Sequence, residues 1–583
     1  MRLRAGASLP VAAFMLALAA ACGDDDAPPA HVLDGATDAG IEGSAARPLC
    51  VDGKPTAAYP PGPYEMSITS VVPQGLVFPG PEGDVAIDGF FEPCAERSRV
   101  LVVRSTAAWC GTCEWHVKND DAKVFSDPRF AGRFVLVDLV IADRDNMPAR
   151  PETTPKIDGW RVGVDPRFTF GAAQLSKSPL PVYVFVDTKT MKILSTASDP
   201  DPIALANKLA VELSFLDRTP RPEAQSPALY DDLFTENQRD LIQAMKLGDL
   251  APPPDPTNEY GDLPAAAALG KKLFEDKGLT PSGTVACATC HDAKLAFTDG
   301  TPQSTGLVRI DRNAPALALA AHARWQFWDG RADTLWAQAL GPFEDAREMG
   351  SSRAFVAGQI KARYADDYEA IFGAKYPLAT TDDTRIYVNA GKAIAAFERS
   401  LRVTPNKLDA YAGGDLAALT KPQKEALQSF FTVGCAQCHW GPRLTDDAFH
   451  VIRFPTGRQD AQPDKGRFDV LASLSKREFV ASSQWSDAPS AAKLLDLPAA
   501  ENMLGAFKTP SLRGLDKSGP FGHGGTLATL LDVAKHYGTR GLPHDDPRAI
   551  GTTEQWVPQF DTNVQTQLPA FLEVLTGDAI VPP

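Results

Sequence analysis

Beyond Ala21 no stretch of this chain is apolar for long enough to cross a bilayer. An excess of basic residues is also missing. The formal charge is −15, which argues against a nucleic-acid partner, because a phosphate backbone attracts basic faces. The same acidity would suit a basic electron-donor protein, or would simply keep the chain soluble. Cysteine is scarce, at nine in 583 residues, and the nine divide without remainder. Four fall in two C-x-x-C-H motifs, Cys110 and Cys113 form a separate C-x-x-C, Cys50 and Cys94 are left as candidates for a disulfide, and Cys22 stands alone. That usage fits an oxidising compartment outside the cytoplasm. The length exceeds what one core holds, so several domains are expected.

Arg2 and Arg4 precede an apolar run from Leu9 to Ala21, which reads as a signal peptide over residues 1–22. Leu18-Ala19-Ala20-Ala21-Cys22 resembles a lipoprotein cleavage box, with Leu18 one position further from the cysteine than usual. Cys22 would then carry lipid on the outer side of a bacterial membrane, facing the periplasm; cleavage without lipidation is the alternative. Residues 23–63 are rich in Asp, Ala, Gly and Pro without periodicity, and are expected as a tether.

Residues 64–218 read as an α/β domain. Val100-Leu101-Val102-Val103 is a short apolar strand that feeds Trp109-Cys110-Gly111-Thr112-Cys113 and a helix. Strands over Phe134–Ile141 and Val182–Val186 follow, with a closing helix around Ala204–Phe215. The order resembles the thioredoxin fold, carried by Trp109 before the C-x-x-C and Pro181 before a strand. By that resemblance Pro181 is cis and faces the cysteines. A cysteine at a helix N-terminus has its thiolate stabilised by unpaired N–H groups, so Cys110 is the expected nucleophile and Cys113 the resolving thiol. A structural disulfide on an inert scaffold is the competing reading. Residues 219–257 are expected as a Pro-rich linker, interrupted by a helix over Glu236–Met245 that Thr235 and Gln238 would cap.

The remaining chain is built around Cys287-Ala288-Thr289-Cys290-His291 and Cys435-Ala436-Gln437-Cys438-His439. C-x-x-C-H is the attachment signature of a c-type haem: the thiols add across the porphyrin vinyl groups and the histidine supplies an axial nitrogen. A zinc half-site or a redox pair could explain one such motif, but serves poorly for two. Ile386, Ala390, Ile394, Phe397 and Leu401 recur at helical spacing, and Thr420 to Gln423 looks like a capping box. With no strand-like alternation here, the expectation is multidomain: an α/β thioredoxin-like domain, then two mainly α-helical cytochrome c-type domains over 258–415 and 416–583.

From Leu263 to Leu575 these segments resemble the bacterial dihaem cytochrome c peroxidases and MauG. The resemblance rests on Leu269-Gly270-Lys271-Lys272-Leu273-Phe274, both C-x-x-C-H motifs, Phe327-Trp328-Asp329-Gly330-Arg331, Glu348-Met349, the run Phe507 to Arg513, and Pro520-Phe521-Gly522-His523-Gly524-Gly525. It implies two covalently bound haem c groups. The first is peroxidatic, and the second collects electrons from a donor such as a c-type cytochrome or cupredoxin. Trp328 would lie between the two. Glu348 would move the proton of peroxide, Gln338 would orient it and Pro342 would shape the pocket. Asn313, Ser518 and Pro520 match positions that bind calcium between the haem domains, and a homodimer is admitted as an assembly.

Two departures from the family pattern matter. After His291 the next histidine is His322, so the histidine that blocks the first haem in many relatives is missing from its usual loop, and that site is expected open without reductive activation. Where peroxidases carry a methionine as distal ligand of the second haem stands Tyr537, as in the MauG branch, with His536 and Met503 as competitors. The expected activity is reduction of hydrogen peroxide to water. The alternatives are peroxide-dependent oxidation of a partner protein, and a redox relay or sensor in which thiols and haems exchange electrons without turnover.

Overall fold

The computed structural model describes residues 48–580 except 171–178, 201, 221, 223–228, 461, 475, 490–500, 555–556, 558 and 578. The signal segment, Cys22 and most of the expected tether lie outside the described residues. Strand β1 (Val100–Thr106) is buried at every residue and lies at the centre of a five-stranded sheet. On one side it pairs in parallel with β2 (Phe134–Val140), and β2 pairs in parallel with β3 (Arg161–Val164). On the other side it pairs antiparallel with β4 (Val182–Asp187), which continues antiparallel to β5 (Ile193–Ser198). A central strand covered on both faces explains why its sequence is a continuous apolar run. Its one cation, Arg104, is fully buried and held by Asp138 and Asp121, at 2.7 and 2.8 Å; unpaired, it would cost several kcal/mol, of order ~3–5.

Helix α1 (Gly111–Trp115) leaves the end of β1 and continues through a π turn into α2 (Asp121–Phe125). Helix α3 (Pro202–Asp217) packs beside α2 on one face of the sheet, where Leu205, Leu209 and Leu213 join Val124, Val100, Val102 and Phe185. Full burial of each such leucine is worth about 2 kcal/mol. The Leu180–Pro181 bond is cis, as the thioredoxin resemblance implied. This is the thioredoxin-like α/β arrangement.

Two expected boundaries shift. Described residues before Tyr64 already belong to the fold: Cys50 and Cys94 form a disulfide, and Tyr59 is buried with its hydroxyl donating to the Val72 carbonyl at 3.0 Å. The expected linker over 219–257 is also more than a spacer. It carries α4 (Glu236–Ala244), capped by Thr235 and Gln238 as expected. Phe234, Leu241, Ile242 and Met245 pack with Leu408, Tyr411 and Leu427 of the following region, because an amphipathic helix needs somewhere to bury its apolar stripe. From Leu49 onward the chain forms one compact unit.

The remainder is mainly helical. Helix α5 (Pro264–Glu275) lies against the long α10 (Asp383–Ser400), whose Ile386, Ala390, Ile394 and Phe397 are all buried. Gly270 permits the contact, since a Cβ there would strike the Ala393 carbonyl. The first haem motif forms a one-turn helix, α6 (Cys287–Cys290). Helix α7 (Leu335–Glu344) runs two residues past Pro342; the proline sits in its last turn, where few hydrogen bonds remain to be lost. Helices α8 (Arg353–Arg363) and α9 (Ala365–Phe372) complete the packing around α10. In the second half, α11 (Lys407–Ala412), α12 (Lys421–Thr432), α13 (Arg467–Leu474) and α14 (Leu530–Gly538) surround the second motif, with a short antiparallel pair of Phe449–His450 and Phe507–Lys508. No described helix is long and apolar enough to cross a membrane.

Candidate active site

One continuous cavity is lined by Cys287, Cys290 and His291 and by Cys435, Cys438 and His439. In each motif the backbone closes the turn that aims the histidine: the His291 amide donates to the Cys287 carbonyl at 3.1 Å and the His439 amide to that of Cys435 at 2.9 Å. Gly434, at φ +80°, starts the second turn in a conformation few other residues tolerate. His291 Nδ1 lies 2.8 Å from the Phe297 carbonyl, and His439 Nδ1 lies 3.1 Å from that of Leu444. A carbonyl only accepts, so Nδ1 carries the proton in both rings and Nε2 is left as a bare nitrogen donor. Burial lowers both imidazole pKa values and keeps the rings neutral. All four motif cysteines are free thiols whose pKa values burial raises, to about 12 at Cys287 and Cys435. Two thiols beside a neutral, oriented Nε2 are what covalent haem c attachment requires, and both sites fit it.

Gln338 and Pro342, from α7, line the cavity with Glu348 from the turn that follows. Glu348 is half-buried. Burial is the main cause that raises its carboxyl pKa, and Arg331 opposes the shift. The side-chain oxygen of Gln338 is buried without a hydrogen-bond partner, an unusual state for an amide and one that a polar guest would relieve. Trp328 also lines the cavity. Its indole donates to the Asn313 carbonyl at 2.9 Å, and its own carbonyl accepts from the Lys508 amide at 2.8 Å. It is thus pinned between the segments that carry the two motifs. A second acid, Glu398 on α10, also reaches the cavity. It is 3 % exposed, one of its oxygens has no partner, and burial pushes its pKa up to about 8.

Near the second motif Tyr537 of α14 lines the cavity, and burial beside Cys438 and Cys435 raises its phenol pKa. The competitors are placed differently. His536 gives Nε2 to the Ile452 carbonyl at 2.9 Å, and Met503 is buried in an apolar cluster with Trp325 and Phe449; neither lines the cavity. Nor does His322, the first histidine after the first motif. Asn313, Ser518 and Pro520 all line the cavity. Asn313 spends its side-chain N–H on the Thr301 carbonyl at 2.8 Å, and Ser518 spends its hydroxyl proton on the Leu515 carbonyl at 3.1 Å. Oxygen lone pairs of both side chains therefore remain for a hard cation.

Cys110 and Cys113 form a disulfide, with exposures of 1 % and 3 %. The pair lies in the apolar core of its own domain, and the second haem motif adds to that cover. Helix α1 rests on the turn Cys435–Gln437, and a Cβ added to Gly111 would fall inside the ring of Trp440. Cys438 packs against the same apolar cluster that holds Trp109, Cys110 and Cys113. Trp109 donates its indole N–H to Asn146 at 2.9 Å and meets the His450 ring edge-on at 4.6 Å. His450 is itself held between Asp446 and Glu554, each at 3.0 Å. Burial opposes charge on His450, yet Cys438, Glu554 and Asp446 together hold its pKa well above the usual value. Cys438, Asp446 and His450 bring ligand atoms within 4.8 Å of one another, but both ring nitrogens already face carboxylates and the thiol belongs to the haem motif. A metal ion has no donor set there.

Sequence reasoning passed over Trp440, His450 and Glu398. Trp440 directly follows His439, so an aromatic adjoining the motif was a usable signal. Nothing in the chain ties His450 to a thioredoxin motif more than three hundred residues away; its hydrogen-bond neighbour Asn146 is 304 positions distant.

A family model described as di-haem cytochrome c peroxidase matches residues 264–417. The chain is 33 % identical over 321 residues to the methylamine utilization protein MauG of Methylorubrum extorquens, a match covering 54 % of this chain and 79 % of that protein. It is 28 % identical over 326 residues to a cytochrome c551 peroxidase of Nitrosomonas europaea, covering 55 % and 82 %. A solved structure of a MauG-like protein associated with microbial copper homeostasis is 26 % identical, with a TM-score of 0.44, covering 56 % of this chain and 95 % of that one.

Proposed function

The chain belongs to the dihaem cytochrome c peroxidase and MauG family, and on that premise we propose that it reduces hydrogen peroxide to water with electrons from a small donor protein, a c-type cytochrome or a cupredoxin, that enter beside the second C-x-x-C-H motif. It is an oxidoreductase with peroxide as acceptor. Cys287, Cys290 and His291 would hold one haem c, and Cys435, Cys438 and His439 the other. The iron of the first supplies the centre at which the O–O bond is cleaved.

Glu348 takes the proton of the inner peroxide oxygen and returns it to the outer one. Its raised pKa brings this carboxyl nearer the working pH, where both steps run well. Gln338 accepts a hydrogen bond from peroxide through its unpartnered oxygen, and Pro342 bounds the pocket. Trp328 carries electrons between the two sites. Tyr537 would supply a phenolate oxygen to the second haem, and a hard phenolate favours ferric iron. Asn313, Ser518 and Pro520 would offer oxygens to a calcium ion between haem domains assigned to 258–415 and 416–583. Lipid on Cys22 would keep the protein at the periplasmic face of a membrane.

The observation that carries this reading is the presence of a half-buried carboxyl and an unpartnered amide oxygen on the wall of the cavity that His291 lines. Mixing the holoprotein with hydrogen peroxide and ferrocytochrome c tests it: rapid multiple turnover is expected, and no donor oxidation above that of free haem would refute it. Tyr537 at the cavity wall favours a second reading, in which peroxide oxidises protein residues, those of a partner in the first instance, by drawing electrons out of them through the second site.

A further inference from the structure

We propose that Cys110 and Cys113 are such residues: in their dithiol form they are the electron source oxidised through the second haem site, so that each peroxide reduced closes one disulfide in the thioredoxin-like domain. This deepens the second reading and rests on it. Thiol–disulfide exchange requires one sulfur to line up behind another, so a pair serving outside thiols has to be reachable. This pair is not. It is 1 % and 3 % exposed, and the Trp440 ring lies so close over Gly111 that not even a methyl group would fit between them. Electron transfer has no such requirement, because it passes through packed atoms.

The same packing that shuts out a foreign sulfur joins the pair to the second motif. Helix α1 sits on Cys435–Gln437, Cys438 shares an apolar cluster with Trp109, Cys110 and Cys113, and Trp440 is the chain neighbour of the ligand His439. Oxidisable indoles thus flank the pair on the haem side, Trp440 over Gly111 and Trp109 against His450.

Thioredoxin-type dithiols are reductants relative to peroxide, which sets the direction. The two S–H bonds break and one S–S bond forms, releasing two electrons and two protons. The electrons pass by way of Trp440 toward the second site and on to peroxide at the first. There the O–O bond breaks and an equal number of protons, taken from water, completes two water molecules.

The test starts from holoprotein prepared and kept under reducing conditions, with the Cys110 and Cys113 thiols shown free by labelling a separate, acid-denatured aliquot. One equivalent of hydrogen peroxide is added under argon, the sample is acid-quenched, and remaining thiols are labelled with a maleimide and weighed by peptide. One disulfide per peroxide is expected, with closure about tenfold slower in Trp440→Leu and intermediate in Trp440→Phe, which keeps the ring packing. Closure at the same rate in protein lacking haem would overturn the proposal. A parallel sample receives ferrocytochrome c. Peroxide turned over with that donor, while the wild-type pair stays reduced, refutes this inference and leaves the family reading intact. Peroxide consumed in neither sample refutes both.

Discussion

The two C-x-x-C-H motifs share a five-residue grammar and the same histidine geometry, and they differ in what faces them. Around the first, the cavity wall offers Gln338 with an unpartnered oxygen, Glu348 with a raised pKa, and the unpaired acid Glu398. Around the second, the wall offers a phenol, Tyr537, and the outer side is covered by another domain through Trp440, Trp109 and His450. The first presents polar groups with unused hydrogen-bonding capacity, and the second is packed against protein. An attachment motif therefore fixes only where a haem is held. The side chains contributed by distant segments fix what it does.

The largest effect is expected at the first motif. Glu348→Gln should lower kcat/KM for peroxide by about 10²–10⁴-fold while haem absorbance is kept. Because the carboxylate form accepts the first proton, wild-type activity should fall as pH drops through the raised pKa of Glu348, and the variant should lose that limb of the profile. On the other side, Tyr537→Met should raise the potential of the second haem by on the order of 100 mV in a redox titration, since thioether favours ferrous iron. An unchanged potential would mean that Tyr537 is packing and not a ligand.

Glu398 sharpens the contrast between an unpaired acid and the paired His450 cluster. Its folded pKa of about 8 lies above the unfolded value, so the protonated form is favoured by folding. Its contribution is fully present below about pH 4.3 and is lost as pH rises toward 8. Glu398→Gln should therefore stabilise the holoprotein at pH 8 relative to pH 5 by roughly 3–4 kcal/mol in thermal unfolding. The smallest effect is assigned to Gln338→Leu, about tenfold and mainly in KM, because one hydrogen bond to peroxide is removed and no proton is moved.

How far the sequence could be read depended on the range of each signal. Local grammar was legible: both haem motifs, the Thr235 cap of α4, the apolar run of β1 and the stripe on α10 each depend on residues close in the chain. The family resemblance picked out Gln338, Glu348 and Tyr537, and the structure gathers them at one cavity. What could not be read was contact between domains. The segment over 219–257 looked like a spacer because its composition is Pro-rich, yet Phe234 and Met245 are fully buried against the second half. The tether was expected to end at 63 because Gly and Pro continue to that point, while the Cys50–Cys94 bridge ties described residues before Tyr64 into the fold. The seat of α1 on Cys435–Gln437 left no trace at all, since no periodicity links a thioredoxin motif to a haem motif that lies so far along the chain.

The contrast between the two motifs is tested most directly by the electron paramagnetic resonance spectrum of the resting, fully ferric holoprotein. With Gln338 and Glu348 facing the first site, and neither residue an iron ligand, the account predicts one high-spin haem signal, alongside a low-spin signal from the second haem with Tyr537 bound. A spectrum that is purely low-spin would contradict it, because both irons would then carry two strong protein ligands and peroxide would find neither site open.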